Sequence, residues 1–163
     1  MALTAHFLRR RSERLLHAAG RHLPGYGAVV AIGASGAGKS TLTASLGGEE
    51  MGDEGIALRW KDKLLHAQAC LVPGERLPQV WEAKPLAALL VPAHDDHTSI
   101  HRIQSAEALI SAANAMVRLR GDDLFDDLDW AHQALKTVPV FRVGWAIAQS
   151  PVEELKRALD ATG

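Results

Sequence analysis

Residues 28–41 read AVVAIGASGAGKST, and the rest of the chain is best read outward from them. The opening AVVAI is a continuous apolar run with β-branched residues, the composition of a strand buried on both faces. The run stops at Gly33, and Gly33-Ala34-Ser35-Gly36-Ala37-Gly38-Lys39-Ser40 fits the pattern G-x-x-x-x-G-K-[ST]. Strand, glycine-rich loop and helix in that order are what a phosphate-binding loop (P-loop) requires. The glycines let the backbone curl so that successive N–H groups face phosphate oxygens, where a Cβ at Gly36 or Gly38 is expected to obstruct. Lys39 is placed to reach the β- and γ-phosphates of ATP, and the hydroxyl of Ser40, with Thr41 beside it, lies where Mg²⁺ is held. A helix is expected from Lys39 to Leu46, its N-terminus adding partial positive charge, with Gly47-Gly48 as its stop.

Upstream, an apolar piece over 15–19 and the turn Pro24-Gly25-Tyr26-Gly27 predict a strand joined by a turn to 28–32. Downstream, strand-like runs over 56–60, 64–72, 86–91 and 98–103 are separated by turns too brief for crossover helices, which predicts antiparallel hairpins. Helical periodicity returns at Ser105, a plausible N-cap, with Ala106, Leu109, Ile110, Ala113 and Val117 on one face. A second helix is predicted from Asp122 as cap to Leu135, with Leu124, Leu128, Ala131 and Leu135 as its buried stripe. Residues 138–145, VPVFRVGW, read as a strand with Phe141, Val143 and Trp145 on one face. Ser150-Pro151-Val152-Glu153 has the form of a capping box with proline at the first helical position. The expected fold is α/β, a single P-loop domain over residues 1–163 with a mixed, largely antiparallel sheet and C-terminal helices. Residues 1–14, with Arg9, Arg10, Arg11 and Arg14, are read as a solvated basic arm or helix.

Composition excludes several classes of function. With 163 residues and 47% hydrophobic content the chain can bury one core. Eighteen Lys and Arg balance nineteen Asp and Glu, for a net charge of -1, which gives no electrostatic ground for nucleic acid or an anionic membrane. No apolar run approaches the roughly 20 residues of a spanning helix. Cys70 is the single cysteine, so no disulfide framework exists and a cytoplasmic location is expected. Within a strand-like run, Cys70 reads as a small core residue.

A P-loop names a nucleotide rather than a reaction. The second metal ligand and a base are sought at Gly52-Asp53-Glu54-Gly55, two adjacent carboxylates just before a strand. One can hold Mg²⁺ while the other accepts a hydroxyl proton. An acidic turn is the alternative on spacing alone, since Glu49 and Glu50 lie close by. There is no N-K-x-D guanine reader and no L-S-G-G-Q transporter signature. His94-Asp95-Asp96-His97 with His101 would share a face only on a helix, and Pro92 argues for a hairpin tip instead. The D-D-x-x-D stretch at 122–126 is read as an acidic helix start, and Arg118 and Arg120 as cations suited to a helix C-terminus.

Leu16-His17-Ala18-Ala19, a turn, AVVAIGASGAGKST and then GDEGIAL together resemble the catalytic domain of the HPr kinase/phosphorylase family, itself distantly similar to ATP-dependent phosphoenolpyruvate carboxykinase. The likeness extends more weakly through 85–91, 102–109 and VPVFRVGW. It implies a Mg-ATP-dependent kinase that transfers the γ-phosphoryl group to a hydroxyl, most simply a serine of a small protein or peptide. It further implies that Lys39 and the loop amides bind ATP, that Ser40 with Asp53 and Glu54 holds Mg²⁺, and that Asp53 or Glu54 is the base. His17, on the strand before the P-loop strand, would stand near the γ-phosphate. Glu54 replaces the family's second Asp, and 41–52 leaves little room for a strand leading into the acids. The family's Gly-rich signature and N-terminal domain are not found in this sequence, so HPr itself is not the expected substrate. A homo-oligomer is allowed for. The other readings are a nucleotide-binding regulatory module that has lost turnover and a small-metabolite P-loop kinase.

Overall fold

The apolar run ahead of the glycine-rich loop forms the centre of the molecule. The computed structural model describes every residue except 1–3, 6, 7, 9–11, 73–75, 104, 119, 120, 147, 148 and 163. In it, Arg14–Leu16 (β1), Ala18–Leu23 (β2) and Gly27–Ile32 (β3) lead to the loop, and Lys39–Ser45 (α1) follows it. Next come Glu49–Gly52 (β4), Ile56–Lys61 (β5), Leu64–Ala69 (β6), Lys84–His94 (β7), Ser99–Arg102 (β8), Ser105–Ala115 (α2), Leu124–Leu135 (α3), Val140–Trp145 (β9) and Val152–Asp160 (α4). This is a mixed α/β fold in which nine strands among the described residues form one sheet. Among these residues six strand pairings are antiparallel and two, β3 with β7 and β7 with β9, are parallel.

β7 is the spine. It starts against β6 at Lys84 and Pro85, runs parallel to β3 from Leu86 to Leu90, and then parallel to β9 from Leu89 to His94. β5 and β6 form the expected antiparallel hairpin. β7 and β8 do not, because β9 lies between them and pairs with each. Residues 95–98 therefore cross over a strand that arrives forty residues later in the chain, a partner that local turn chemistry cannot announce.

The two faces of the sheet carry separate cores. Leu42 and Leu46 around α1 and Leu155 and Leu159 of α4 pack with Val29, Ala31, Leu90, Phe141, Val143 and Trp145. On the other face, Ala108, Ala112 and Ala115 of α2 and Ala131 and Ala134 of α3 meet Val30, Ile32, Leu89 and Val140. The strand alternation of Phe141, Val143 and Trp145 is as expected. Of the expected helix stripes, Ala113 and Ala131 are buried and Leu109 and Leu135 pack partly on the core, but the main contact lines are rotated from the rest. Small alanines, not the larger residues, take the contact lines, so Ile110 is 57% exposed and Leu124 47% exposed. Alanine lets helix and sheet approach closely, and a narrow gap leaves large side chains at the margins.

Several local expectations change as well. Asp123, not Asp122, caps α3, its carboxylate accepting the Phe125 N–H at 2.8 Å. The residue at the first position of α4 is Val152, Pro151 being the cap, and the Ser150 hydroxyl bonds the Ser45 carbonyl, so no capping box forms. Arg14 belongs to β1 and is buried, not part of a solvated arm. Arg9, Arg10, Arg11 and Arg120 lie outside the described residues. Cys70 falls just past β6 and is half-buried. Burial pushes its thiol pKa up. Among the described residues, no helix is long and apolar enough to cross a membrane.

Candidate active site

Three strand ends bring the predicted residues to one edge of the sheet. β2 runs antiparallel to β3 with Ala18 opposite Ile32, so His17 stands across from Gly33, where the loop begins. β2 also pairs antiparallel with β4, with Gly20 opposite Gly52, so the chain leaves β4 at Asp53 near the same edge. The C-terminal ends of β7 and β9 lie there too, because both run parallel to β3. Ligands of α/β proteins bind beyond the carboxyl ends of such strands.

The strand into the acids exists after all. The helix α1 ends at a left-handed pair, Gly47 (φ 68°) and Gly48 (φ 71°), and β4 starts on the next residue. A Cβ on Gly48 would lie 2.4 Å from the His22 carbonyl oxygen, so this reversal depends on glycine. A turn that tight is what fits a four-residue strand into the short segment. Glu49 and Glu50, read from sequence as part of an acidic turn, are strand residues that pair with His22 and Arg21.

In the loop, Gly36 (φ 77°) and Gly38 (φ 86°) are left-handed. Crowding is not the reason at Gly36, where an added Cβ would meet nothing within 4 Å; its backbone angle is. At Gly38 an added Cβ would touch the indole of Trp145 at 3.4 Å, and at Gly33 the Cβ of Ala37 at 3.4 Å. The Ala37 N–H donates to the Ala34 carbonyl at 3.2 Å, closing a turn within the loop. Ser35 is exposed on its outer side.

Lys39 is buried, and its Nζ donates to the carbonyls of Gly33 (3.1 Å) and Ala34 (3.0 Å). The ammonium is thus held inside the loop. Burial lowers its pKa, while the carboxylates of Glu54 and Asp53 pull the other way. Ser40 and Asp53 line one cleft of about 240 Å³, together with Arg21, Thr43, Glu50 and Arg76. Thr41 is exposed on the outer side of α1. The Glu54 Oε2 lies 3.1 Å from the His17 Nδ1, and both side chains are partly exposed. His17 occupies the one-residue break between β1 and β2, not a strand, and its backbone N–H donates to the Ala115 carbonyl at 2.8 Å.

Arg21 and Arg76 were not singled out by sequence, Glu50 was read only as part of an acidic turn, and Trp145 only as one face of a strand. Arg21 lies in β2, opposite Glu50 of β4. Its guanidinium lies 3.5 Å from Glu50, and its Nε is buried without a partner among the described residues. The cross-strand partner depended on a β4 that the sequence did not reveal. The His94 to His97 segment leaves β7 as an exposed loop in which Asp95 accepts from the Ser99 hydroxyl and the Asp96 N–H. Among the described residues no three His, Cys, Asp or Glu side chains gather as a metal cage.

No protein-family model matches the chain, and no curated protein matches it by sequence. Among solved structures it is similar to the Hpr(Ser) kinase/phosphatase from Coxiella burnetii, at 13% identity and a TM-score of 0.47, over 92% of this chain and 99% of that one.

Proposed function

We propose that the chain is a Mg-ATP-dependent phosphotransferase that moves the γ-phosphoryl group of ATP to a hydroxyl, a serine of a small protein or peptide. The observation that carries this reading is the convergence of a G-x-x-x-x-G-K-S loop, with its lysine held inside, and an adjacent pair of carboxylates at one sheet edge. The donor set fits Mg²⁺. A serine hydroxyl and one carboxylate are hard oxygen ligands, and Mg²⁺ is commonly held by one or two such groups and the substrate phosphates rather than by a full protein cage. When bound, the metal neutralises charge on the β- and γ-phosphates.

The residues divide the remaining work. The loop amides of residues 34–39 and the Lys39 ammonium bind and orient the phosphates. Ser40 and Asp53, which share a cleft, would hold the metal. Glu54, which faces His17, would accept the proton of the acceptor hydroxyl, with His17 fixing the carboxylate's orientation. The acceptor oxygen then bonds to the γ-phosphorus as the bond to the β-γ bridging oxygen breaks, ADP leaves, and the proton rests on Glu54. Calorimetry with Mg-ATP on the wild type and Lys39→Ala tests the nucleotide site, and transfer of labelled γ-phosphate to added serine peptides tests the reaction. A folded wild type that binds no nucleotide would refute the reading. Tight binding without transfer to any acceptor would favour a nucleotide-sensing module.

A further inference from the structure

One cavity lined by described residues plays no part in that chemistry. It has a volume of about 610 Å³ and opens between α2, α3 and the start of β9. Val140 lines it, and Trp145, at the other end of the same strand, lies under the P-loop. Five residues of extended chain put roughly 16 Å between them. The volume falls in the range of small-molecule sites.

Its lining has two parts. Ile103, Leu109 and Leu135 are partly buried apolar residues packed on the core, and their remaining surface faces the cavity. Arg102, His132 and Lys136 stand around them, and no acidic residue is among the described lining residues. Two of these cations have a local reason to be there. His132 lies in the last turn of α3 and Lys136 caps it, where the helix dipole favours positive charge. Arg102 has the opposite situation. It ends β8 three residues before α2 begins, at the positive end of that helix dipole, and it makes no ion pair among the described residues. Glu107, the acid in the first turn of α2, is engaged by Arg142. A cation at a helix N-terminus, beside two others and above an apolar floor, is arranged for an anion from outside the chain.

We infer that this cavity binds a small organic anion with an apolar body, of the alkyl or aryl carboxylate or sulfonate class. The apolar body lies on Ile103, Leu109 and Leu135, and the charge sits at the Arg102, His132 and Lys136 rim. The inference is independent of the phosphotransferase reading.

The test uses 8-anilinonaphthalene-1-sulfonate as the anionic probe, N-phenyl-1-naphthylamine as its uncharged counterpart, and decanoate as competitor, all on the full chain. One saturable sulfonate site is expected, displaced by decanoate, with amide shifts at 102–109 and 132–140. The double variant Arg102→Glu/Lys136→Glu should weaken sulfonate binding at least about tenfold while leaving the uncharged probe nearly unchanged. Arg102→Gln/Lys136→Gln gives an intermediate loss and covers the case in which charge reversal perturbs folding. Lys61→Glu, on an exposed strand end, should change nothing. Absence of binding to the folded wild type would overturn the inference, as would amide shifts confined to the P-loop at 33–40. Equal sulfonate affinity in wild type and both double variants would do the same.

Discussion

Two pairs of adjacent acids, Asp53-Glu54 and Asp126-Asp127, look alike in sequence and are treated in opposite ways by the fold. Asp127 is completely buried in α3 and receives the Nε of Arg14 at 3.1 Å and the Nε of Arg118 at 2.7 Å. Arg14 also reaches Asp126 and lies over the ring of Trp130, 5.6 Å from its centroid. That cluster ties β1 and the residues after α2 to α3. Asp53, by contrast, makes no hydrogen bond or ion pair among the described residues, and Glu54 is half exposed with His17 as its one close partner. Carboxylates whose acceptor sites are filled by guanidinium groups hold a structure together. Those at the end of β4 beside the glycine-rich loop keep acceptor sites that no guanidinium fills, and under the proposed function these serve metal and proton. The lesson is that a pair of acids is assigned by its partners and burial, not by its spacing.

The sharpest break of this comparison is to remove one acid from each pair. Asp127→Ala leaves two guanidinium groups facing a buried gap, and loss of one partner of a buried pair costs about 3 kcal/mol or more. The melting temperature should fall by roughly 6 to 12 °C. Under the proposed function, Mg-ATP affinity measured well below that melting point should stay within about twofold. A loss under about 1 kcal/mol would place this cluster with exposed ion pairs of little worth.

The reciprocal change acts on chemistry. Under the proposed function, Glu54→Gln should lower kcat about a hundredfold with nucleotide affinity intact, the signature of a lost base. Asp53→Asn should weaken Mg-ATP binding as well as turnover, because it removes the proposed metal ligand. Thermal unfolding of both variants should remain within about 2 °C of wild type. If the two variants lose affinity and rate in the same proportion, the division of roles between them is wrong.

Legibility of the two pairs differed for a physical reason. The strand and helix that flank the glycine-rich loop, the β5–β6 hairpin and the inward face of β9 follow from local periodicity and turn chemistry, and all stand in the structure. The partners of Asp127 come from 113 and 9 residues away, and no local pattern encodes them. Arg14 accordingly read as part of a basic arm, and Leu124 as core where Asp127 takes the buried position. The same holds for the crossing of 95–98 over β9 and for Arg21 against Glu50. The acids stood out as adjacent carboxylates before a strand, His17 was found only through resemblance, and the strand register explains why they meet.

A smaller effect is expected at His17. Its Nδ1 faces Glu54 across 3.1 Å, but its side chain is 36% exposed and solvent can replace much of what it does. His17→Ala should therefore reduce kcat by about tenfold, less than either acid variant. His17→Gln, which keeps a hydrogen-bonding group, should recover part of the loss. A reduction as large as that of Glu54→Gln would make the pair, rather than the carboxylate, the proton acceptor.

The smallest effect concerns the cations on the two sides of the comparison. Arg14 is buried against carboxylates, whereas Lys39 is buried against two backbone carbonyls with its acids at longer range. Burial is the main reason its pKa is lowered from 10.5, so the folded chain binds this proton less well than the unfolded chain does. Between the lowered value and 10.5 the unfolded state carries more of the proton, and stability contributed by this site rises with pH through that window. Below the window the charge opposes folding in full. Lys39→Met should therefore raise the melting temperature at neutral pH by about 2 °C, and the difference from wild type should shrink as pH approaches 10.5. Parallel melts of wild type and variant from neutral pH upward make the measurement. A variant less stable than wild type at neutral pH would mean that the hydrogen bonds to Gly33 and Ala34 outweigh the burial of charge. The P-loop lysine would then hold the loop together as Arg14 holds α3, and the contrast between the two regions would end at their acids.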